Sequence, residues 1–501
     1  MTRQAVIGID IGTSSSKGVL VGLDGTVLAR ADRHHDVRRP QPGHVEMDAA
    51  IWWDECCAIS RALTSHDAEI VGVGVSGMGP CLVVTDAAGE VLRPAILYGI
   101  DTRATAQIER LEARLGAEAI VERGHARLTS QAVGPKLAWI ADEEPAVFAR
   151  TRRLFMTSSW LAWKLTGSYV LDHASASQAW PLYDVAAGAW YAPWADDIAP
   201  ELEWPTLMWP GDIAGTVTKT AAARTGLPTG IPVVAGTIDA WSESVSVGAT
   251  RPGDLMLMYG TTMFLIAVVE QPIHSPSLWG TVGALPGTFS LAGGMATSGA
   301  ITSWLRELFG SPDYAELLAL ADASRPGANG LLLLPYFAGE RTPIQDPDAR
   351  GLIVGLSMDT TRGDLYRAAL EATAFGVRHN VDAMRAAGAP IDRIVAVGGG
   401  TQGELWTRIV SDVTGLEQVI PRETIGASFG AAFLAASTQV EVDIDEWNPP
   451  VALRRPDPAL AARYDEAYGL YLDLYPATRT VAHALATNQR ASVAAEAPRR
   501  S

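Results

Sequence analysis

The chain has 501 residues, 48% of them hydrophobic and 19% charged, with a formal net charge of −17. That length suits two domains of about 200–250 residues, and the hydrophobic share excludes a disordered chain. The acidic balance argues against a nucleic-acid or anionic-membrane partner, since either needs a basic face. Three cysteines, Cys56, Cys57 and Cys81, include no pair spaced as zinc ligands, and such sparse use fits a reducing compartment. The start, MTRQAVIGIDIG, carries no leader pattern, and no apolar run reaches the roughly 18 residues of a membrane helix. The cytoplasm is the expected location.

Residues 5–11 read as a buried strand, followed by two more strands (KGVLVGLD, TVLARADR) with glycine-containing turns. Residues 48–63 have helical spacing, and 70–75 form an apolar strand that stops at Gly77. Residues 82–97 read as a hairpin turning at Ala88-Gly89, and residues 102–180 as mainly helical. The pattern then restarts. A short strand at 232–235 ends at Gly236, and a small-residue helix follows at 240–248. Residues 254–259 and 263–269 are paired strands around Gly260-Thr261-Thr262. Later come a helix at 363–387, a strand at 394–397, the loop Gly398-Gly399-Gly400 and a helix near 403–414. The repeated strand, Gly-Thr loop and strand predict a duplicated α/β architecture. Its expected parts are a lobe at 1–245, a second at 246–485 and a polar, frayed tail at 486–501.

Four constellations carry candidate chemistry. In Gly8-Ile9-Asp10-Ile11-Gly12-Thr13-Ser14-Ser15-Ser16-Lys17 a strand delivers Asp10 to its end, and Gly12 lets the backbone turn close to an anion. Thr13 and Ser14 then offer hydroxyls and N–H groups to phosphate oxygens, as against a simple solvated hairpin turn. Gly260, Thr261 and Thr262 repeat that context, and two such loops suit a nucleoside triphosphate. Asp239, in Gly236-Thr237-Ile238-Asp239, is either a helix N-cap or a general base taking a proton from a hydroxyl that attacks a γ-phosphate. The run Gly398–Gly403 matches G-x-G-x-x-G, with Glu417 near the distance of a ribose-binding acid. A dinucleotide-dependent dehydrogenase therefore stands beside a kinase whose adenine packs on Gly399 and Gly400. An actin-like or Hsp70-like ATP-binding scaffold is a third reading.

Other chemistries are excluded. None of the four lysines, Lys17, Lys136, Lys164 and Lys219, follows a glycine as a Walker A motif requires. No protein-kinase motif set or HExxH pattern occurs, and Gly74-Val75-Ser76-Gly77-Met78 ends in Met where a nucleophile elbow needs Gly.

Taken in order, these residues resemble the FGGY carbohydrate kinases, and xylulose kinases most closely among them. The resemblance runs from about residue 5 to about residue 437. It is carried by IGIDIGTSSSKGVL, PGHVEMDAAIWWDE, GPKLAWI, WLAWKLTGSYVLDHASAS, VVAGTIDAWSESVSVG, MLMYGTTMF, LPYFAGERTP, ARGLIVGLS and VAVGGGTQGELWTRIVSDVTG. It implies two actin-like, ribonuclease H-like lobes around a central nucleotide cleft. It also implies ATP and Mg²⁺, a small sugar or polyol substrate, most of all a ketopentose such as xylulose, and a homodimer. By position it makes Asp239 the catalytic base and Asp10 the acid that helps hold Mg²⁺. Gly12, Thr13, Ser14, Gly260, Thr261 and Thr262 become the phosphate loops, and Gly399 and Gly400 the adenine-side loop.

There are departures from the xylulose-kinase pattern. Gly79-Pro80 stands where a Met-His pair is expected, after Met78, and Asp239-Ala240 stands for Asp-Asn. The segment Tyr98–Arg103 is one residue longer, and the Arg-Glu pair of glycerol kinases is absent. Met78, Gly79, Asp101, Arg103 and Gln131 are the candidate sugar contacts, with Asp101 and Arg103 alternatively pairing with each other. Tetruloses, tetritols, pentitols and glycerol-like polyols stand as alternative acceptors.

Overall fold

The computed structural model describes residues 3–496, with side chains to residue 490. The elements used below are, in chain order, β1 (Gln4–Ile11), β2 (Ser15–Gly22), β3 (Val27–His34), α1 (Ala49–Thr64), β4 (Glu69–Gly77), α2 (Val133–Glu143), β5 (Ile213–Thr216), β6 (Pro232–Val234), β7 (Thr237–Ile238) and α3 (Asp239–Ser246). They continue with β8 (Gly253–Tyr259), β9 (Met263–Val269), β10 (Phe289–Met295), α4 (Gly299–Leu308), α5 (Arg362–Ala386), β11 (Ile391–Val397), α6 (Glu404–Thr414), β12 (Gln418–Pro421), α7 (Ala427–Ala436), β13 (Pro450–Arg454) and α8 (Ala461–Glu496).

The chain divides into two compact units. The first holds the residues up to Pro252 together with Val268–Leu291 and Arg422–Pro449; the second holds Gly253–Ala267, Ala292–Pro421 and the residues from Pro450 onward. The chain first passes between the units at Pro252–Gly253, and two later segments, Val268–Leu291 and Arg422–Pro449, belong with the first unit.

The first unit is built on a seven-stranded sheet in the order β5-β6-β4-β1-β2-β3, with β7 also paired to β4. β1 and β2 are antiparallel, whereas β1, β4 and β7 run parallel. Parallel strands covered on both faces read as unbroken apolar runs, and β1 and β4 are buried along most of their length. One cover is α7, ASFGAAFLAA, buried at every position. A helix apolar all round lies inside a protein. It approaches so closely that a Cβ on Gly8 would lie 1.9 Å from the Ser428 carbonyl oxygen, and one on Gly74 would lie 1.8 Å from that of Ala431. The other face carries α1, whose Trp52, Cys56, Ile59 and Leu63 join the core.

The second seven-stranded sheet starts with an edge strand at Trp279–Val282 and continues β10-β9-β8-β11-β12-β13, with β8 antiparallel to β9 and parallel to β11. The long helix α5 carries a capping box at Thr361 and Asp364. The 82–97 hairpin forms only the bridges Leu82↔Ile96 and Thr85↔Val91, because its strands find longer partners at Arg153–Phe155 and Glu46–Met47. The tail expected to fray from residue 486 continues α8 to Glu496, since its alanines carry no stop signal. Residues 497–501 of that tail lie outside the described residues. Among the described residues, no helix is long and apolar enough to cross a membrane.

Candidate active site

Parallel strands deliver their C-terminal residues to one edge of a sheet. In register, Asp10 sits beside Ser76, and Thr237 beside Ser76 from the other side. Asp10, the segment Ser76–Gly79 and Asp239 are thereby gathered in the first unit. Ser76 Oγ donates to Asp10 Oδ1 at 2.9 Å, and the Met78 N–H donates to the Ile11 carbonyl at 2.7 Å. Asp239 is the first residue of α3 and not its cap; that place is Ile238's, which makes no side-chain capping bond. The carboxylate instead accepts from the Ala240 N–H at 2.8 Å.

Burial sets the electrostatics here. It raises Asp10 to about 6, against the pull of Ser76 and Lys17. It raises Asp239 to about 7, with the charge of Asp10 pushing the same way. A third acid, Glu243, one helical turn after Asp239, is raised to about 8 by burial and by Asp239 and Asp10. Sequence reading missed Glu243, although the four-residue spacing on a short helix was a usable signal. An acid held near neutrality in this way is suited to accept a proton at physiological pH.

The Gly12–Ser14 hairpin joins β1 to β2. The Gly12 N–H donates to the Ser15 carbonyl at 3.0 Å, and Thr13 Oγ1 lies 2.9 Å from the Tyr98 hydroxyl. Neither the Thr13 nor the Ser14 N–H has a hydrogen-bond partner among the described residues. Adjacent unpaired N–H groups in a turn form an anion-binding concavity.

The candidate sugar contacts divide. Gly79 fits closely, since a Cβ there would meet the Ile238 side chain at 2.7 Å. Met78 is 1% exposed and packs in the core, while its carbonyl accepts from Thr157 Oγ1 at 2.8 Å. Its side chain is thus core, and only its backbone belongs to the segment after β4. Asp101 and Arg103 pair at 2.7 Å with side chains 0% and 1% exposed. Asp101 also accepts from the Val45 N–H at 2.6 Å, and Arg103 reaches Glu46 at 2.8 Å and lies over the Trp139 ring. This is the mutual pairing that the sequence left open as the alternative to sugar contact, and Val45 and Glu46 hold it in place. Gln131 accepts from the Gly99 N–H at 3.0 Å. Lys136, on α2 and not singled out as a site residue in the sequence, extends its Nζ to 3.4 Å from the carbonyls of both Pro80 and Gln131, and burial lowers it to about 8.

In the second unit the Gly260–Thr262 hairpin joins β8 to β9. The Gly260 N–H donates to the Thr262 carbonyl at 3.1 Å. The carbonyls of Gly260 and Thr261 accept from Gly299, Ser298 and Ala300 around the start of α4. The N–H groups of Thr261 and Thr262 have no partner among the described residues. β11 lies beside β8, so the Gly398–Gly400 loop follows next to this hairpin. Gly398 has φ 93°, and a Cβ there would meet the Tyr259 carbonyl oxygen at 2.6 Å. A Cβ on Gly400 would meet Tyr259 and Trp406, whereas around Gly399 nothing lies within 4 Å. Among the described residues no group of three or more His, Cys, Asp or Glu is arranged to hold a metal ion.

Carboxylates at strand ends and glycine hairpins with unpaired N–H groups are the equipment of phosphoryl transfer. The model of the FGGY family of carbohydrate kinases, N-terminal domain, matches residues 5–246, and that of its C-terminal domain matches residues 255–438. The chain belongs to the FGGY family of carbohydrate kinases, with an actin-like α/β fold of two sheet-containing domains and ATP as phosphate donor. Its relatives include the xylulose kinase of Escherichia coli (strain K12), 29% identical over 482 residues, or 94% of this chain and 98% of that one. The glycerol kinase of Renibacterium salmoninarum is 30% identical over 460 residues, 86% and 89% of the two chains. Among solved structures, the xylulose kinase from Rhodospirillum rubrum has a TM-score of 0.89 at 35% identity, covering 96% of this chain and 100% of that one.

Proposed function

We propose that the protein transfers the γ-phosphoryl group of ATP to a hydroxyl of a ketopentose such as xylulose, with Asp239 as general base. The observation that carries this reading is the gathering of Asp239, Asp10 and the Ser76–Gly79 segment at the ends of β7, β1 and β4. Asp239, raised to about 7, takes the proton of the attacking hydroxyl as the oxygen closes on phosphorus. The unpaired N–H groups of Thr13 and Ser14 donate to phosphate oxygens, and those of Thr261 and Thr262 do the same in the second unit. Gly399, with open space around it, offers a flat face to adenine or ribose. Mg²⁺, when bound, neutralises charge on the transferring group. Asp10 is the residue that would hold it, because a single carboxylate suffices for an ion that keeps waters and nucleotide phosphates as its other ligands.

The choice of a ketopentose rests on the relatives named xylulose kinase. The 30% identity to a glycerol kinase favours a shorter polyol as the second reading. ADP formation measured over a panel of pentuloses, tetruloses, tetritols, pentitols and glycerol tests both. The highest kcat/KM on a pentulose supports the proposal, and one on glycerol or a tetritol replaces it.

A further inference from the structure

His35 follows directly after β3. Its backbone N–H donates to the Ser14 carbonyl at 3.1 Å, and its ring Nε2 lies 3.0 Å from the Gly12 carbonyl oxygen. These contacts flank Thr13. On the far side of the ring, Nδ1 lies 2.8 Å from Oε2 of Glu55 on α1, an oxygen that also accepts from Ser16 Oγ. The two side chains are only 5% and 14% exposed.

A carbonyl oxygen only accepts hydrogen bonds, and so does an ionised carboxylate. A neutral imidazole has one N–H and satisfies one of them; an imidazolium satisfies both. We propose that His35 is a positioning residue for the phosphate hairpin, held as an imidazolium between the Gly12 carbonyl and the Glu55 carboxylate. Its ring and backbone hold the carbonyls of Gly12 and Ser14 on one side of the turn. The N–H groups of Thr13 and Ser14 are thereby left to the nucleotide phosphate. Glu55 balances the added charge, and Ser16 ties Glu55 to β2. The inference rests on the phosphate-loop reading of Gly12–Ser14.

Nitrogen NMR of the full-length, nucleotide-free enzyme labelled at histidine reads the ring directly. We expect a ring with both nitrogens protonated whose signal is absent from His35→Leu and is singly protonated at Nε2 in Glu55→Gln. A His35 ring carrying one proton in the unmodified protein overturns the proposal. ATP titration of His35→Leu should show roughly tenfold weaker binding, the scale of a lost charge-assisted hydrogen bond. The KM for sugar should change less than about twofold, since a merely structural loss would move both. His35→Gln, which donates to the Gly12 carbonyl, should recover part of the loss. Unchanged ATP affinity in His35→Leu, beside a loss in Gly12→Val, sinks the role of His35 alone. Unchanged affinity in both variants sinks the phosphate-loop reading with it.

Discussion

Replacing Asp239 by Asn should cut turnover by about 10²–10⁴-fold and stabilise the protein at the same time. The amide still accepts from the Ala240 N–H, so the local fold persists. It takes no proton from a hydroxyl, and loss of a general base costs about 10²–10⁴ in kcat. The stability effect follows from the raised acidity of the site. Asp239 moves from the usual 3.8 to about 7, so the folded state holds a proton that the unfolded state releases. The stability this contributes is complete below about pH 4 and is lost as pH rises through 7. At 1.36 kcal/mol per pH unit the full difference is about 4 kcal/mol. Water reaching this partly exposed carboxyl lowers it to about 1–2 kcal/mol. The Asn variant should therefore melt a few degrees above the unmodified protein at pH 8 and with it at pH 4. ADP-coupled kinetics and thermal melts across that range are the assays. The same ionisation should make kcat/KM of the unmodified enzyme rise with pH between about 6 and 8. Near-normal turnover in Asp239→Asn, or a variant that melts lower at pH 8, would refute the reasoning.

Arg103→Ala should cost about 3–5 kcal/mol by leaving Asp101 buried without its partner; Arg103→Lys that melts normally but binds sugar over tenfold more weakly would restore the contact role. Gly74→Ala should cost about 3 kcal/mol or more in chemical denaturation, beyond ordinary overpacking, because the clash is with α7 backbone. Gly399→Ala meets nothing within 4 Å and should leave the melting temperature unchanged while raising the KM for ATP. An unchanged KM there would remove Gly399 from the nucleotide site.

The strands and turns near Asp10, Gly260 and Gly398 were legible because buried parallel strands leave unbroken apolar runs that stop at glycine. Asp239 stood out for the same reason, at the junction of a strand and a small-residue helix. The return of Arg422–Pro449 to the first unit was not legible. ASFGAAFLAA announces a buried helix, but which sheet it covers is decided by the missing side chains of Gly8 and Gly74, hundreds of residues earlier. The pairing of Asp101 with Arg103 was foreseen as one of two outcomes. Its partners Val45 and Glu46, brought in by another segment, decide it. His35 and Lys136 were missed because their meaning lies in carbonyl oxygens, which no residue letter records.

The most direct test is transfer of label from γ-³²P-ATP in the presence of D-xylulose, with the product separated and identified. The account predicts label on the sugar, one ADP per sugar phosphate, and loss of transfer in Asp239→Asn. Label recovered only as inorganic phosphate, or transfer that survives in Asp239→Asn, would contradict it.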